Sequence, residues 1–139
     1  QGRGGAGRGA GGRGVWGRVG AEGGRPGHRR GADGRIHDPE TAVTVEDGAP
    51  DGMCIDGQGM LWVALWGAGR VQRYDPQTGR ALAECVSVPQ RNASCCCLGG
   101  RDGRTLYITT AQSDGQAGGL YACRVEVSGP LPYAWRGQY

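Results

Sequence analysis

The groups in this chain that could do chemistry are a few carboxylates and thiols between residues 51 and 123. Asp51 lies in Pro50-Asp51-Gly52. A carboxylate there is a hard oxygen donor that suits Ca²⁺ or Mg²⁺. The same triplet is also what a β-turn with a capping carboxylate looks like, so residue types alone leave both readings open. Asp56 precedes Gly57 and Asp75 precedes Pro76; both read as turn residues rather than catalytic groups. The six cysteines are Cys54, Cys85, Cys95, Cys96, Cys97 and Cys123, with no Cys-x-x-Cys among them, and the two histidines, His28 and His37, stand apart. A thiolate zinc site is therefore not indicated. Successive side chains of a strand point to opposite faces, so Cys95, Cys96 and Cys97 cannot converge on one ion. They read as small buried hydrophobes, and their number suits a reducing, cytoplasmic compartment.

The elements that must hold Asp51 come in two copies. Asp51-Gly52-Met53-Cys54-Ile55 is followed by a Gly turn, by Leu61-Trp62-Val63-Ala64, by a second Gly turn and by Arg70-Val71-Gln72-Arg73-Tyr74. A degraded copy runs Ser94 to Leu98, Leu106-Tyr107-Ile108-Thr109 and Gly119-Leu120-Tyr121-Ala122-Cys123. Ser94 lies 43 positions after Asp51, and Leu120 lies 49 after Val71. Several short strands repeated at such spacing are the mark of a β-propeller, with Asp51 where its channel would put a metal site. Thr41 to Val45 reads as a strand ahead of the first copy. Within that copy, Gly52 to Asp56 reads as the inner strand. Leu61 to Trp66 is apolar almost throughout, as a strand covered on both faces must be. Arg70 to Asp75 alternates, Val71 and Arg73 facing one way, Gln72 and Tyr74 the other. Ala81 to Val88 reads as the outer strand. The second copy reads as Ser94–Leu98, Thr105–Thr110 and Gly119–Val127. Trp62, Trp66 and Tyr107 read as packing between blades, and Trp66, beside Gly67-Ala68-Gly69, also stands where a channel mouth would be. No window shows helical periodicity.

Composition divides the chain. Residues 1–34 hold 15 of the 30 glycines, 7 of the 16 arginines and only Glu22 and Asp33 as acids; residues 35–139 carry a small negative balance. The first segment offers little to bury and is expected to be disordered. It lacks the apolar run of a secretory signal, contains no Ser to suit a transit peptide, and no stretch of the chain reaches the length of a membrane span. With no Lys and a heavy Gly and Ala load, it reads as translated non-coding sequence or a misjudged start, an expectation that a native peptide from residues 1–34 would refute. Arg3, Arg8, Arg13 and Arg18 recur every fifth position, which gives an alternative: RGG-like binding of nucleic acid through phosphate contacts and stacking. The body itself carries no basic footprint for such a partner, so nucleic acid is not the expected one.

Pro50-Asp51-Gly52-Met53-Cys54-Ile55-Asp56 with Leu61-Trp62-Val63-Ala64 resembles the gluconolactonase/regucalcin (senescence marker protein) family. Gly69-Arg70-Val71, Tyr74-Asp75-Pro76, Ser94-Cys95-Cys96, Leu98-Gly99-Gly100, Leu106 to Ala111, Gly118 to Tyr121 and Pro132 to Trp135 continue the resemblance over residues 40–135. It implies an all-β chain, about two blades of a six-bladed propeller at the C-terminal end of a longer parent, joined to the Gly/Arg-rich segment. It implies hydrolysis of sugar lactones such as glucono-1,5-lactone, a divalent cation (Ca, Zn, Mg or Mn) in the channel, and calcium binding. By the same resemblance Asp51 is the metal ligand and the catalytic residue of this chain, while the Glu and Asn ligands and the sugar-contacting groups belong to blades outside it. A cation of that kind polarises the lactone carbonyl, and a nearby carboxylate takes the proton of the attacking water. A non-catalytic propeller scaffold is the other reading. Two blades do not close a ring, so the chain is expected to be a fragment that is unstable or associates through open strands.

Overall fold

The computed structural model describes residues 41–130 in full and, ahead of them, the backbone of the strands that fall within residues 7–40. Those strands are β1 (Gly7–Arg8), β2 (Gly14–Trp16), β3 (Arg18–Ala21), β4 (Gly27–Arg30) and β5 (Ile36–Val45), in one sheet of order β1-β2-β4-β5-β3. The remainder of segment 1–34, where disorder is expected, lies outside the described residues. So does 131–139, and with it the Pro132–Trp135 motif.

Two further sheets carry the repeat. β6 (Ala49–Ile55), β7 (Leu61–Trp66), β8 (Arg70–Tyr74) and β9 (Ala81–Ser87) form an antiparallel meander of four strands. β10 (Ala93–Gly99), β11 (Thr105–Thr110) and β12 (Leu120–Arg124) form a meander of three. The described residues contain no helix. Two stacked meanders in the expected order are two neighbouring blades of a propeller, so the all-β reading holds.

The meander β6–β9 is covered on both faces, which explains the unbroken apolar run of β7. Leu61, Val63 and Leu65 pack with Val43 and Val45 of β5 and with Tyr74. Trp62 and Ala64 turn the other way, joining Val71 to Ala93, Cys96, Leu106 and Ile108 of the second meander. Alternate side chains thus serve two different cores, and neither face of β7 can be polar. The alternation expected for β8 is present: Val71 joins one core, Tyr74 the other.

Turn chemistry fixes the registers. Asp75 accepts from the amide of Gln77 and the hydroxyl of Thr78, and Gly79 takes φ +71° to bring the chain back as β9. Those bonds hold the Asp75 carboxyl below its ordinary pKa, the amide of Gln77 contributing most. Asp75 is a turn residue, as expected. The third strand of the second copy is shorter than expected, ending at Arg124 rather than Val127. Beyond Val125 the chain crosses to the first meander, where the Ser128 carbonyl accepts from the amide of Gly57 at 2.7 Å.

Candidate functional site

Asp51 lies inside β6, not in a turn. β6 pairs with β7 as Pro50↔Leu65 and Met53↔Val63, so Asp51 and Gly52 occupy an irregularity where one strand carries extra length. A bulge of this kind re-aims a side chain without ending the strand. The capping-turn alternative for Pro50-Asp51-Gly52 is therefore overturned. Asp51 is half-buried, and burial raises its carboxyl above the ordinary value.

Gly52 has a different role from the one its position suggests. Its backbone does not take a positive φ, so it does not serve a tight turn. A Cβ built there would stand 2.5 Å from Cys95 Sγ and 2.7 Å from Cys95 Cα. Gly52 is what lets β10 lie directly against β6, the inner strands of adjacent sheets.

The end of the molecule that carries Asp51 is tied together by backbone. The amide of Gly69 donates to Arg91 O at 2.8 Å, that of Val88 to Gly69 O at 2.9 Å, and that of Ala111 to Asn92 O at 2.9 Å. Trp66 and Asn92 form a bridge between the two meanders. Arg70 reaches Asp47 at 2.7 Å across the same end. Trp66, opposite Ala49 in the ladder, remains 40% exposed there, unlike its buried neighbours on β7. It is not interior packing.

As a cation site, the described residues supply one hard oxygen ligand. They contain no group of three or more His, Cys, Asp or Glu placed to hold an ion. A half-buried carboxylate with a raised pKa is one that a cation would stabilise in its charged form, so Asp51 fits the role of a single ligand. The side chains of residues 1–40, including those of Arg3, Arg8, Arg13 and Arg18, lie outside the described residues.

The cysteines divide by face, as alternation demands. Cys96 is buried against the first meander, whereas Cys85, Cys95 and Cys97 are exposed. Buried-hydrophobe packing therefore describes Cys96, and in part Cys54 and Cys123, but not the other three.

Asp56 is the turn residue expected, holding the amides of Gln58 and Met60, but sequence reasoning missed its buried partners. It is 2% exposed and accepts from the amides of Gln58 and Met60, from Trp62 Nε1 at 3.0 Å and from Arg73 Nε at 2.8 Å. The Arg73 guanidinium, 5% exposed, also reaches Gln58 Oε1 and Glu84 Oε1, each at 2.7 Å. It stands 5.9 Å from the Trp62 ring centroid. The signal available was Arg73 itself, which sits on the same face of its strand as buried Val71 and opposite Trp62 in the ladder. A cation in that place needs a buried anion.

Residues 29–112 match the family model described as SMP-30/Gluconolactonase/LRE-like region. The chain is 42% identical over 114 residues to the Bacillus subtilis protein named "Putative sugar lactone lactonase YvrE", covering 73% of this chain and 39% of that one. It is 53% identical over 66 residues to regucalcin of Danio rerio, covering 48% and 22%. With regucalcin of Gallus gallus it shares 42% over 103 residues, covering 66% and 34%. The chain thus spans between about a fifth and two fifths of the length of these relatives. Among solved structures, a calcium-binding protein, regucalcin, from Agrobacterium tumefaciens matches at TM-score 0.65 and 27% identity, over 80% of this chain and 42% of that one. A luciferin-regenerating enzyme matches at TM-score 0.63 and 24% identity, over 84% and 39%, which bears on the fold alone.

Proposed function

The chain belongs to the SMP-30/gluconolactonase/LRE-like family, and from that premise we propose that it supplies the Asp51-bearing blades of a protein that hydrolyses sugar lactones with a divalent cation. The observation that carries the proposal is the bulge in β6, which places a half-buried carboxylate on an inner strand. When bound, the cation would supply Lewis-acid polarisation of the lactone carbonyl. Asp51 would hold it as one oxygen ligand, and a single carboxylate of this kind suits Ca²⁺ or Mg²⁺. Calcium binding is part of the same proposal, with Asp51 again the ligand. The backbone ties among Gly69, Val88, Arg91 and Asn92 keep the strand ends around Asp51 in fixed register. Such rigidity is what holds a ligand within the narrow tolerance that metal-assisted hydrolysis needs.

Protons compete with the cation for the same carboxylate. Because burial raises the pKa of Asp51, cation affinity should weaken as pH falls toward that raised value, starting at a higher pH than for an exposed Asp.

The test uses the full-length parent. Asp51→Ala should abolish cation-dependent hydrolysis of glucono-1,5-lactone, with the circular dichroism spectrum and melting transition unchanged. Unchanged turnover in a folded variant would remove Asp51 from the mechanism. A parent that binds no divalent cation and leaves lactones intact would point instead to a non-catalytic propeller.

A further inference from the structure

Two thiols from the inner strands of adjacent sheets meet. Cys54 of β6 and Cys96 of β10 stand with their Sγ atoms 3.9 Å apart. The approach is built into the strands rather than left to side-chain chance. Cys54 is held opposite Trp62, and Cys96 opposite Ile108, by the ladders on either side. The missing Cβ of Gly52 admits β10 at Cys95, one residue before Cys96. Cys96 is further fixed by donating to the carbonyl of Trp62 at 3.2 Å. Cys95 and Cys97, its neighbours in sequence, are exposed instead.

We infer that Cys54 and Cys96 form an oxidant-sensitive dithiol, which a peroxide converts into a disulfide joining the two sheets three residues from Asp51. A disulfide needs about 2.05 Å between sulfurs, so each thiol closes by roughly an ångström, within reach of a side-chain rotation. The electrons balance in two steps. The Cys54 thiolate attacks the peroxide, an S–O bond forms as the O–O bond breaks, and the departing oxygen leaves as water after taking a proton. The Cys96 sulfur then attacks that sulfenic acid, an S–S bond forms as the S–O bond breaks, and a second water leaves. Two thiols lose two electrons, and one peroxide gains them.

The order follows from access. Cys54 is the less buried of the pair. The Cys96 thiol is pushed well above its ordinary pKa, first by its hydrogen bond with Cys54 and then by burial. It stays protonated and acts second, when Cys54 is already oxidised.

The experiment treats the intact protein with hydrogen peroxide, blocks the remaining thiols with iodoacetamide and cleaves after arginine. The chain has no lysine; Cys54 falls on the fragment 36–70, and Cys95, Cys96 and Cys97 fall on 92–101. The expected product is a dithiothreitol-reducible link between those two fragments. It should persist in Cys95→Ser and Cys97→Ser and vanish in both Cys54→Ser and Cys96→Ala. Any of three results would overturn the inference: a link retained in Cys96→Ala, a disulfide confined to 92–101, or oxidation that leaves Cys54 alkylated as a free thiol.

Discussion

The meanders β6–β9 and β10–β12 share one plan but bury their equivalent faces differently. In the first, the position opposite Trp62 is Arg73, and Asp56 follows the end of the inner strand. In the second, Tyr107 stands at the place of Trp62, Ala122 at that of Arg73, and Gly99 at that of Asp56. The geometry persists even where the chemistry has gone, since a Cβ at Gly99 would meet the Tyr107 ring at 3.3 Å. The face that holds the Asp56–Arg73 pair is covered by the second meander. The matching face of the second meander leaves Cys95, Cys97, Thr109 and Ala122 exposed, with Leu120 at 69%. Its Arg–Asp pair lies at the turn instead, where Arg124 holds Asp102 in bidentate fashion at 2.9 and 2.7 Å. A buried ion pair and a surface ion pair thus occupy two repeats of one strand plan, and they should behave differently.

The largest difference is expected from removing the buried anion. Asp56→Ala leaves the Arg73 guanidinium enclosed, with Glu84 and Gln58 as its remaining partners. It also orphans Trp62 Nε1. The expected cost is about 3–5 kcal/mol, the range for breaking a buried ion pair from one side. A urea titration followed by Trp fluorescence measures it in the intact protein. Gly99→Ala, at the equivalent position, should shift the midpoint far less. If the two variants lose stability equally, the covered face is not what makes the Asp56–Arg73 pair matter.

What the sequence revealed and concealed follows from the same contrast. The two-sided burial of β7 was legible because Leu61 to Leu65 has no polar residue to give either face to water. The turn role of Asp75 was legible because Pro76 and Gly79 declare it. The buried pairing of Asp56 was not, since Asp-Gly at a strand end looks like any other turn, and its partners Trp62 and Arg73 lie 6 and 17 residues away. The bulge at Asp51 was not legible either, because it depends on cross-strand pairing that no local pattern encodes. The packing role of Gly52 was hidden for a similar reason: its constraint comes from Cys95, on another sheet.

Gly52 supplies the intermediate test, because the two meanders meet there. Gly52→Ala places a methyl group where Cys95 backbone and side chain already stand. Overpacking of this kind is expected to cost about 1–3 kcal/mol. The strain should appear at the contact between the sheets, so the variant should also weaken the peroxide-induced link between Cys54 and Cys96. A variant as stable as the parent sequence, with the link forming at an unchanged rate, would show that β10 does not depend on close approach at this point.

The smallest effect belongs to the surface pair, and pH isolates it. Hydrogen bonds from Arg124 hold the Asp102 carboxyl down, to about 2. A carboxylate whose pKa is depressed in the folded state stabilises most above its unfolded value and loses that contribution as pH falls through the folded one. Asp102→Asn should therefore be slightly less stable than the unaltered protein near neutral pH. The difference should close between about pH 4 and pH 2, and it should also shrink in high salt, because exposed charges are screened. Melting curves of the two proteins across that pH range, at low and high salt, measure both dependences. The buried pair should resist the salt. If Asp56→Ala and Asp102→Asn instead responded to salt alike, Arg73 would be in contact with water, and the enclosure of the first meander by the second would have to be redrawn.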